Sequence, residues 1–294
     1  MPLMKPLSPC EQDAAQQSSP LHAASITRRH ALGVFAGLGA ASFVPLIGCG
    51  DSAASSASEE GQGSRGESGS GAVTSWARGG TAAMTQKASY PDPFTAALST
   101  CALVISTTAG PCTTQNDLLR EDVSEGLPGL PLRLALKIVG ASCSPLANAT
   151  VKIWHTNPEG SYSGQTPNNA MCLKQQAYAA QDFFRGVQSS DAEGRVFFDT
   201  CFPGWYPGRA IHIHFQVQSG TTSYRISQLF FPEDVVHEIF ASHEDYKNYG
   251  QPNMPFASDN VVAAIPNAER ELHVLSVMRM DDGAMLASKV VRVV

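Results

Sequence analysis

Strict alternation of apolar and polar side chains marks one strand clearly in the middle of the chain. Leucine or isoleucine occupies every second position from Leu132 to Ile138, and Arg133, Ala135 and Lys137 fill the positions between them. Side chains of a strand point alternately to opposite faces, so this pattern predicts a strand with one face in a core. Further short strands are predicted at 151–154, 195–200, 211–217, 227–231, 271–280 and 287–294.

Turns and one helix separate these strands. The polar segment Asp191–Gly194 stands directly before the strand at 195–200, and this turn predicts a hairpin. A helical pattern at about 233–242 interrupts the later strands. Short strands joined by turns rich in Gly and Pro are typical of a β-sandwich, so we predict an all-β fold with short helical insertions.

The first 48 residues have the pattern of an export signal. Arg28 and Arg29 precede an uncharged run, rich in Gly and Ala, from Ala31 to Gly48. This arrangement resembles a twin-arginine signal peptide. A transmembrane helix is the alternative, but the run is barely long enough to span a bilayer and contains Pro45, which favours a removable signal.

Cys49 ends this run in the sequence Leu46-Ile47-Gly48-Cys49, which resembles a lipobox. Several acyl chains on one cysteine would anchor the protein stably, although a chance cysteine is the alternative. The following segment, 49–89, is rich in Ser, Gly and Ala and is predicted to be a flexible tether. The chain thus divides into a signal at 1–48, a tether at 49–89 and a folded domain at 90–294. We expect an exported protein, periplasmic or extracellular, that meets a membrane only through Cys49.

The overall charge excludes one class of partner. Charged residues make up 16% of the chain and the net charge is −6. Proteins that bind nucleic acid need a basic face, and no cluster of Lys and Arg supplies one here. We therefore predict no nucleic-acid partner.

Five cysteines fall within the predicted domain, and outside the cytoplasm they can form disulfides. An odd number leaves at least one cysteine free or paired between molecules, so we predict two bridges without assigning their connectivity. A zinc site is the other interpretation, but no Cys-x-x-Cys spacing supports it. The five cysteines are Cys101, Cys112, Cys143, Cys172 and Cys201.

His212 and His214 are the first candidates for chemistry. They are two residues apart in a predicted strand, so their imidazoles point to the same face while Ile213 points to the other. Two tyrosines lie on loops at the ends of predicted strands: Tyr206 in a rigid Pro- and Gly-containing loop before this strand, and Tyr162 in the loop after the strand at 151–154. Taken alone, the two histidines could equally be a surface or core-edge pair. The loops add one tyrosine at the start of their strand and a second tyrosine at another strand end.

Three motifs in this order resemble the intradiol ring-cleavage dioxygenase family, which includes catechol and protocatechuate dioxygenases, and in particular its short secreted members. The resemblance covers about residues 101–250 and implies the β-sandwich of that family. Gly110-Pro111 and the segment 227–231 match flanking blocks more loosely. The three motifs are Trp154-His155 with Tyr162-Ser163-Gly164, Phe184-Arg185-Gly186 with Gly194, and Pro203-Gly204-Trp205-Tyr206 with His212-Ile213-His214.

This resemblance implies a non-haem Fe(III) ion held by Tyr162, Tyr206, His212 and His214. The donor types agree with that ion, because phenolate oxygen is a hard, anionic ligand that stabilises the ferric state. The resemblance also implies that a catechol-type diol and O2 react there to give a muconate-type dicarboxylate. Tyr206 is the ligand expected to leave the metal when the diol binds and to act as the local base.

Two further residues receive roles from the same resemblance. Arg209 stands where the family has an arginine that contacts the activated substrate, and a cation there would stabilise negative charge on the ring. A surface salt bridge is the alternative for Arg209. Gln228 matches a glutamine near the family's iron. A homo-oligomer is possible, and the sequence leaves the oligomeric state open.

The chain departs from the family pattern at two positions near the site. The family's Thr-Glu-Gly-Pro-aromatic block has Ala109 and Cys112 here, which changes the expected substrate entrance, and Thr156 replaces the usual Cys after Trp-His. These changes leave the substrate's ring substituents open and predict a different disulfide pattern. Other polar residues are given no role at the metal: Asp191 and Glu193 in a solvated turn, His155 as structural, and His237, His243 and His273.

Two other functions remain open at this stage. One is a lipid-tethered β-sandwich that binds ligands or metal without catalysis, because sandwiches host many functions. The other is a zinc hydrolase that uses His212 and His214 and gives the tyrosines no role. Bound iron and the visible colour of a ferric tyrosinate would distinguish the dioxygenase from both.

Overall fold

The computed structural model describes residues 75–96 and 101–293. The predicted signal at 1–48, Cys49 and the larger part of the predicted tether lie outside these residues. Within the described ranges the chain forms two four-stranded sheets, and no helix there is long and apolar enough to cross a membrane.

The first sheet, sheet A, has the strand order β4-β1-β8-β7. β1 (Pro131–Val139) pairs with β4 (Arg195–Cys201) antiparallel on one side and with β8 (Met285–Arg292) parallel on the other. β7 (Ser276–Arg279) completes the sheet as the antiparallel neighbour of β8. Sheet A therefore joins the first and last strands of the domain.

The second sheet, sheet B, carries the candidate histidines. Its order is β3-β2-β5-β6 and every pair is antiparallel. The strands are β2 (Thr150–Trp154), β3 (Arg185–Ser189), β5 (His212–Ser219) and β6 (Thr222–Phe230).

The core lies between the two sheets and is built by the alternation that the sequence predicts. Leu132, Leu134, Leu136 and Ile138 of β1 are fully buried and share one cluster with the inward residues of β2 and β5. Each fully buried aliphatic side chain of this size contributes about 1.5–3 kcal/mol to folding. The two-sheet sandwich with few helices confirms the predicted fold class.

Short helices lie in the loops. α1 (Asn169–Cys172) follows the loop of Tyr162, α2 (Glu233–Ser242) follows β6, and α3 (Asn260–Ala263) lies further along the chain. The bounds of α2 match the predicted helix. The remaining turns are 3₁₀ helices at Gly80–Ala83, Lys87–Ser89, Gln176–Ala180, Lys247–Tyr249, Phe256–Ser258 and Asn267–His273.

The predicted hairpin at Asp191–Gly194 is wrong. The turn exists, since the amide of Asp191 donates to the carbonyl oxygen of Arg195 at 2.8 Å. The strands on either side of it join different sheets, β3 in sheet B and β4 in sheet A. The turn therefore crosses from one layer of the sandwich to the other, and the local turn signal does not report which strands pair.

Two strands begin five residues away from their predicted start, and the sequence pattern did not predict β3 at all. The segment predicted as a strand from 271 begins as the 3₁₀ helix Asn267–His273, and β7 covers only Ser276–Arg279. Pro266 accepts a hydrogen bond from the amide of Glu269 at 2.8 Å, which closes this turn. β6 is longer than predicted because it begins at Thr222.

Residues 75–89, assigned to the tether from their small and polar composition, pack on the sandwich. The indole of Trp76 donates to Glu238 at 3.0 Å, and the guanidinium carbon of Arg279 lies 4.1 Å from its ring centroid. The amide of Ala77 bonds to Gly283 at 2.8 Å, and Lys87 reaches the buried carboxylate of Asp199 at 2.5 Å. The structure therefore extends the folded domain to residue 75 at least.

Two disulfides close large loops, as predicted in number. Cys101 is bonded to Cys143 and Cys112 to Cys172, with sequence separations of 42 and 60. Cys201 is free and fully buried, and burial raises the pKa of its thiol well above the usual range. A neutral, buried thiol is chemically inert.

Candidate metal centre

The two histidines of β5 lie side by side on the outer face of sheet B. Their Nε2 atoms are 3.2 Å apart, while Ile213 between them is fully buried in the core. The ring of Trp154 on β2 stacks on His214 with centroids 4.8 Å apart and an interplanar angle of 7°. The strand alternation and this stacking fix the direction in which both imidazoles point.

The loops of Tyr162 and Tyr206 are held together through their backbones. The amide of Gly204 donates to the carbonyl of Asn157 at 3.0 Å, and the hydroxyl of Thr156 donates to the carbonyl of Gly204 at 2.6 Å. At Gly160, where φ is +80°, a Cβ would lie 1.9 Å from the carbonyl oxygen of Trp205. Only glycine allows this approach, and it brings the two tyrosines to one place.

The four predicted ligand atoms form one cluster. The Oη of Tyr162 lies 3.2 Å from Nε2 of His214 and 3.4 Å from Nε2 of His212. The Oη of Tyr206 lies 3.3 Å from Nε2 of His212 and 3.4 Å from Oη of Tyr162. Donors bound at about 2.0–2.1 Å around one ion are about 3.3 Å apart in a tetrahedron, so the spacing fits a single metal ion.

Phenol oxygens are essential to this donor set. In residues 75–96 and 101–293, no group of three or more His, Cys, Asp or Glu side chains is placed to hold a metal. His212 and His214 alone give two donors, and Tyr162 and Tyr206 supply the other two. A pair of anionic oxygens with two imidazoles suits a hard trivalent ion.

Burial keeps the histidines neutral. It lowers the pKa of His212 to about 3, with a contribution from the nearby charge of Arg209, and it lowers the pKa of His214 well below the usual range. Nδ1–H of His212 donates a hydrogen bond to the carbonyl oxygen of Ala210 at 2.6 Å. The lone pair of Nε2 is thereby directed into the cluster, as metal binding requires.

Burial shifts the pKa of the two tyrosines upwards, opposite to its effect on the histidines. It raises the pKa of Tyr162 well above the usual value, and the neighbouring Tyr206 raises it further. The pKa of Tyr206 is also raised by burial, although the charge of Arg209 opposes this shift. A phenolate pair at this place therefore calls for a cation in contact with both oxygens.

Arg209 is fixed beside the cluster by two partners. Its Nε donates to Oδ2 of Asp259 at 2.8 Å, and its Nη2 donates to Oε1 of Gln228. Gln228 is fully buried opposite His214 in the β5–β6 ladder, and its Nε2 donates to the carbonyl of Thr108 at 3.1 Å. The structure thus places Arg209 and Gln228 beside the cluster of candidate ligands.

Asp259 is a site residue that the sequence analysis missed. It is fully buried, and its Oδ2 also accepts the amide of Ala210 at 2.8 Å. Its Oδ1 caps α3 by accepting the amide of Val261 at 2.8 Å. An Asp directly before a short helix is the one local signal that could have drawn attention to it.

Arg185 holds the loop of Tyr162 from below. This arginine of the second motif is 2% exposed, and its Nη2 donates to the carbonyls of Ser163 at 2.6 Å and Cys112 at 2.7 Å. Its guanidinium lies 5.8 Å from the ring centroid of Tyr162. Arg185, the first residue of β3, therefore holds the loop of Tyr162 in place although it is not one of the candidate ligands.

A cavity of about 720 Å³ opens over the cluster. Tyr162, Tyr206 and Arg209 line it, and the Cys112–Cys172 disulfide and α1 form one wall. Cys112, which stands where the family block has an aromatic residue, thus lines this cavity. A space of this size suits a ring with substituents.

The remaining polar candidates lie elsewhere, as expected. Asp191 binds its own turn through the amides of Glu193 at 3.0 Å and Arg195 at 2.7 Å. His155 is fully buried, with Nε2 at 2.8 Å from the hydroxyl of Thr200. His237 is exposed, His243 contacts the carbonyl of Ala77, and His273 contacts the backbone of Gln228.

Comparison with known proteins agrees with this architecture. The family model Dioxygenase_C, described as dioxygenase, matches residues 106–247. An intradiol ring-cleavage dioxygenase from Tetranychus urticae is 25% identical with a TM-score of 0.58, and the dioxygenase Tetur07g02040 is 26% identical with a TM-score of 0.57. Each alignment covers 66% of this chain and 94% of the other chain.

No curated protein matches the sequence of this chain. The matched region nevertheless contains all three motifs and all four candidate ligands. The sandwich, the family model and the solved structures all show that this protein is similar to the intradiol ring-cleavage dioxygenase family.

Proposed function

We propose that this protein cleaves catechol-type diols with O2 at a non-haem Fe(III) ion, with both oxygen atoms entering a muconate-type dicarboxylate. The observation that carries the proposal is the cluster of two phenol oxygens and two imidazole nitrogens 3.2–3.4 Å apart, whose two tyrosines line a cavity. When bound there, ferric iron would supply the Lewis acidity that makes the diol a dianion.

The two tyrosines are suited to different tasks. Tyr162 is 2% exposed and contacts both histidines, so it fits a permanent ligand. Tyr206 is half-buried and lies on the cavity wall, where an incoming diol reaches it. We assign to its Oη the acceptance of a diol proton, which would return Tyr206 to a neutral phenol and free its position beside the metal.

Arg209 is suited to stabilise the charged ring. Its guanidinium lines the cavity and is oriented by Asp259 and Gln228 before any substrate binds. A cation that is already in position stabilises negative charge without the cost of reorganisation. Such electrostatic stabilisation accounts for the larger part of the rate enhancement in many enzymes. His212 and His214 stay neutral and hold the metal position.

Oxygen uptake with a panel of catechols tests the proposal directly. Iron content is measured on the same preparation, and His212→Ala is compared with His237→Ala, which changes an exposed histidine. We expect iron and catechol-dependent uptake in the wild type and in His237→Ala, and loss of both in His212→Ala. Iron-free protein that consumes no oxygen would instead support a binding module, and bound zinc would support a hydrolase.

We also propose that the protein is exported and held at a membrane through Cys49. The twin-arginine and lipobox patterns support this, and the two disulfides suit an oxidising compartment. Labelling with radioactive palmitate tests the anchor. We expect label in the wild type and none in Cys49→Ala, whereas equal labelling of both would contradict the proposal.

A further inference from the structure

The charged side chains that line the cavity of about 720 Å³ are all positive. Its charged lining residues are Lys174 and Arg209, both cations, and within the described residues no Asp or Glu side chain lines it. The rest of the lining is apolar or neutral. A cavity with this lining favours a ligand that carries negative charge beyond the metal-binding oxygens.

The two cations differ in how far their charge is balanced. Arg209 is paired with the carboxylate of Asp259 at 2.8 Å. Lys174 donates from Nζ to the carbonyl oxygen of Glu159, and in the described part of the chain no carboxylate lies within 4.0 Å of it. An ammonium has three donors, so two of them and the full charge remain available for a ligand.

The ammonium of Lys174 stands at the cavity wall. A Cβ placed on Gly160, another lining residue, would lie 3.4 Å from its Nζ. The carboxylate of Glu159 is engaged elsewhere, since its Oε1 accepts the side-chain amides of Asn157 at 3.2 Å and Gln175 at 3.3 Å. Glu159 therefore forms no ion pair with Lys174 although its carbonyl oxygen accepts from Nζ.

The backbone of Lys174 is tied to the loop of Tyr162. Its amide donates to the hydroxyl of Ser161 at 2.9 Å, and the amide of Tyr162 donates to the carbonyl of Cys172 at 3.0 Å. The Cys112–Cys172 disulfide fixes the same segment from the other side. The backbone of Lys174 is therefore fixed relative to the loop of Tyr162, and its exposed side chain reaches the cavity wall from that position.

We propose that Lys174 binds an anionic substituent of the diol, with a carboxylate as the matching group, and so selects carboxylated catechols over neutral and cationic ones. This inference rests on the proposed dioxygenase function and adds to it the chemical class of the substrate. A hydrogen bond between charged groups at a cavity wall changes kcat/KM roughly tenfold.

The test compares acids with their own esters. The substrates are 3,4-dihydroxybenzoate, 3-(3,4-dihydroxyphenyl)propanoate and the methyl ester of each, with kcat/KM measured by oxygen uptake. The variants are Lys174→Gln, which removes the charge, and Lys174→Arg, which keeps it. Lys137→Gln is the control, since it removes the same charge from β1 in the other sheet.

We expect Lys174→Gln to lose roughly tenfold in kcat/KM on at least one acid and to stay within roughly twofold of the wild type on the esters. Lys174→Arg and Lys137→Gln should keep the preference for the acid. Equal kcat/KM for acids and esters in the wild type, or equal loss on both in Lys174→Gln, would overturn the inference.

A binding measurement separates this inference from the proposed function. The Kd of 3-(4-hydroxyphenyl)propanoate and of its methyl ester is measured by calorimetry on the same variants. If no catechol is cleaved, the proposed function fails, and a weaker Kd for the acid in Lys174→Gln still supports the anion site. Identical Kd values for acid and ester in all variants would contradict it.

Discussion

Arg209 and Asp259, fifty residues apart in the chain, form a salt bridge in which Nε lies 2.8 Å from Oδ2. Asp259 also holds the amide of Ala210, two residues before His212, so one carboxylate orients both the cation and the backbone that leads to a metal ligand. Arg209 in turn lowers the pKa of Asp259, which stays charged at neutral pH although it is fully buried.

Asp259→Asn is expected to reduce kcat for catechol cleavage roughly 10- to 100-fold while iron content is retained. Asparagine still caps α3, so the fold should survive, whereas Arg209 loses its ionic partner. Steady-state oxygen uptake and metal analysis on the same samples provide the check. Asp281→Asn, which removes an exposed carboxylate, is the control, and an unchanged kcat in Asp259→Asn would refute this role.

Tyr162→Phe is expected to lose iron and about half of the visible tyrosinate absorption, because one of two phenolates is gone. Tyr206→Phe should lose a similar share of the absorption but keep more iron, since Tyr206 is the more accessible of the two. Absorption spectra and metal analysis measure both effects. Tyr178→Phe is the matched control, and a full spectrum in Tyr162→Phe would exclude it as a ligand.

His155 is expected to make the protein sensitive to acid. Burial, together with the charge of Arg185, lowers its pKa from 6.5 to about 4 in the folded protein. The unfolded chain therefore binds a proton at His155 more readily than the folded protein does. The contribution of neutral His155 to the free energy of unfolding is complete above pH 6.5 and is lost as the pH falls towards 4. This loss amounts to about 3 kcal/mol.

Urea unfolding at several pH values between 7 and 4 measures this dependence. In His155→Gln the free energy of unfolding should fall less steeply over that range, and His237→Gln, at an exposed position, should follow the wild type. If the free energy of unfolding fell equally steeply with pH in His155→Gln and in the wild type, the acid sensitivity would belong to other groups.

Removal of the Cys112–Cys172 disulfide is expected to affect both stability and substrate binding. A double Ser variant should lose about 2–4 kcal/mol of unfolding free energy and show a higher KM, because this bridge forms a wall of the cavity. The Cys101–Cys143 pair offers a matched control with a similar loop length. Its removal should lower stability by a comparable amount and leave KM unchanged, so equal KM values in both variants would contradict the prediction.

The sequence predicts most of what depends on local pattern. The alternation of apolar and polar residues predicts β1. It also predicts that His212 and His214 share a face opposite to Ile213, because successive side chains of a strand point to opposite faces. The helix at Glu233–Ser242 follows from its own periodicity. The cluster also needs Tyr162 and Tyr206. Their sequence places both tyrosines on loops at strand ends, and close packing at Gly160 brings the two loops together.

Features that depend on distant pairing were not predictable in this way. The turn at Asp191–Gly194 looks like a hairpin locally, yet β3 and β4 pair with strands far along the chain. Asp259 follows no periodic pattern and reaches Arg209 only through the tertiary fold. Trp76 stands among small polar residues, so composition hides the cation–π contact that holds it to Arg279.

The parallel pairing of β1 with β8 affects how the protein is made. Leu132 is the partner of Met285, so more than half of the chain separates two neighbouring strands. A ribosome has released β1 to β7 before β8 emerges, and until then one edge of β1 is unpaired and able to associate with other chains. Completion of sheet A therefore waits until β8 has emerged, and we expect nascent chains that pause before residue 285 to depend on chaperones.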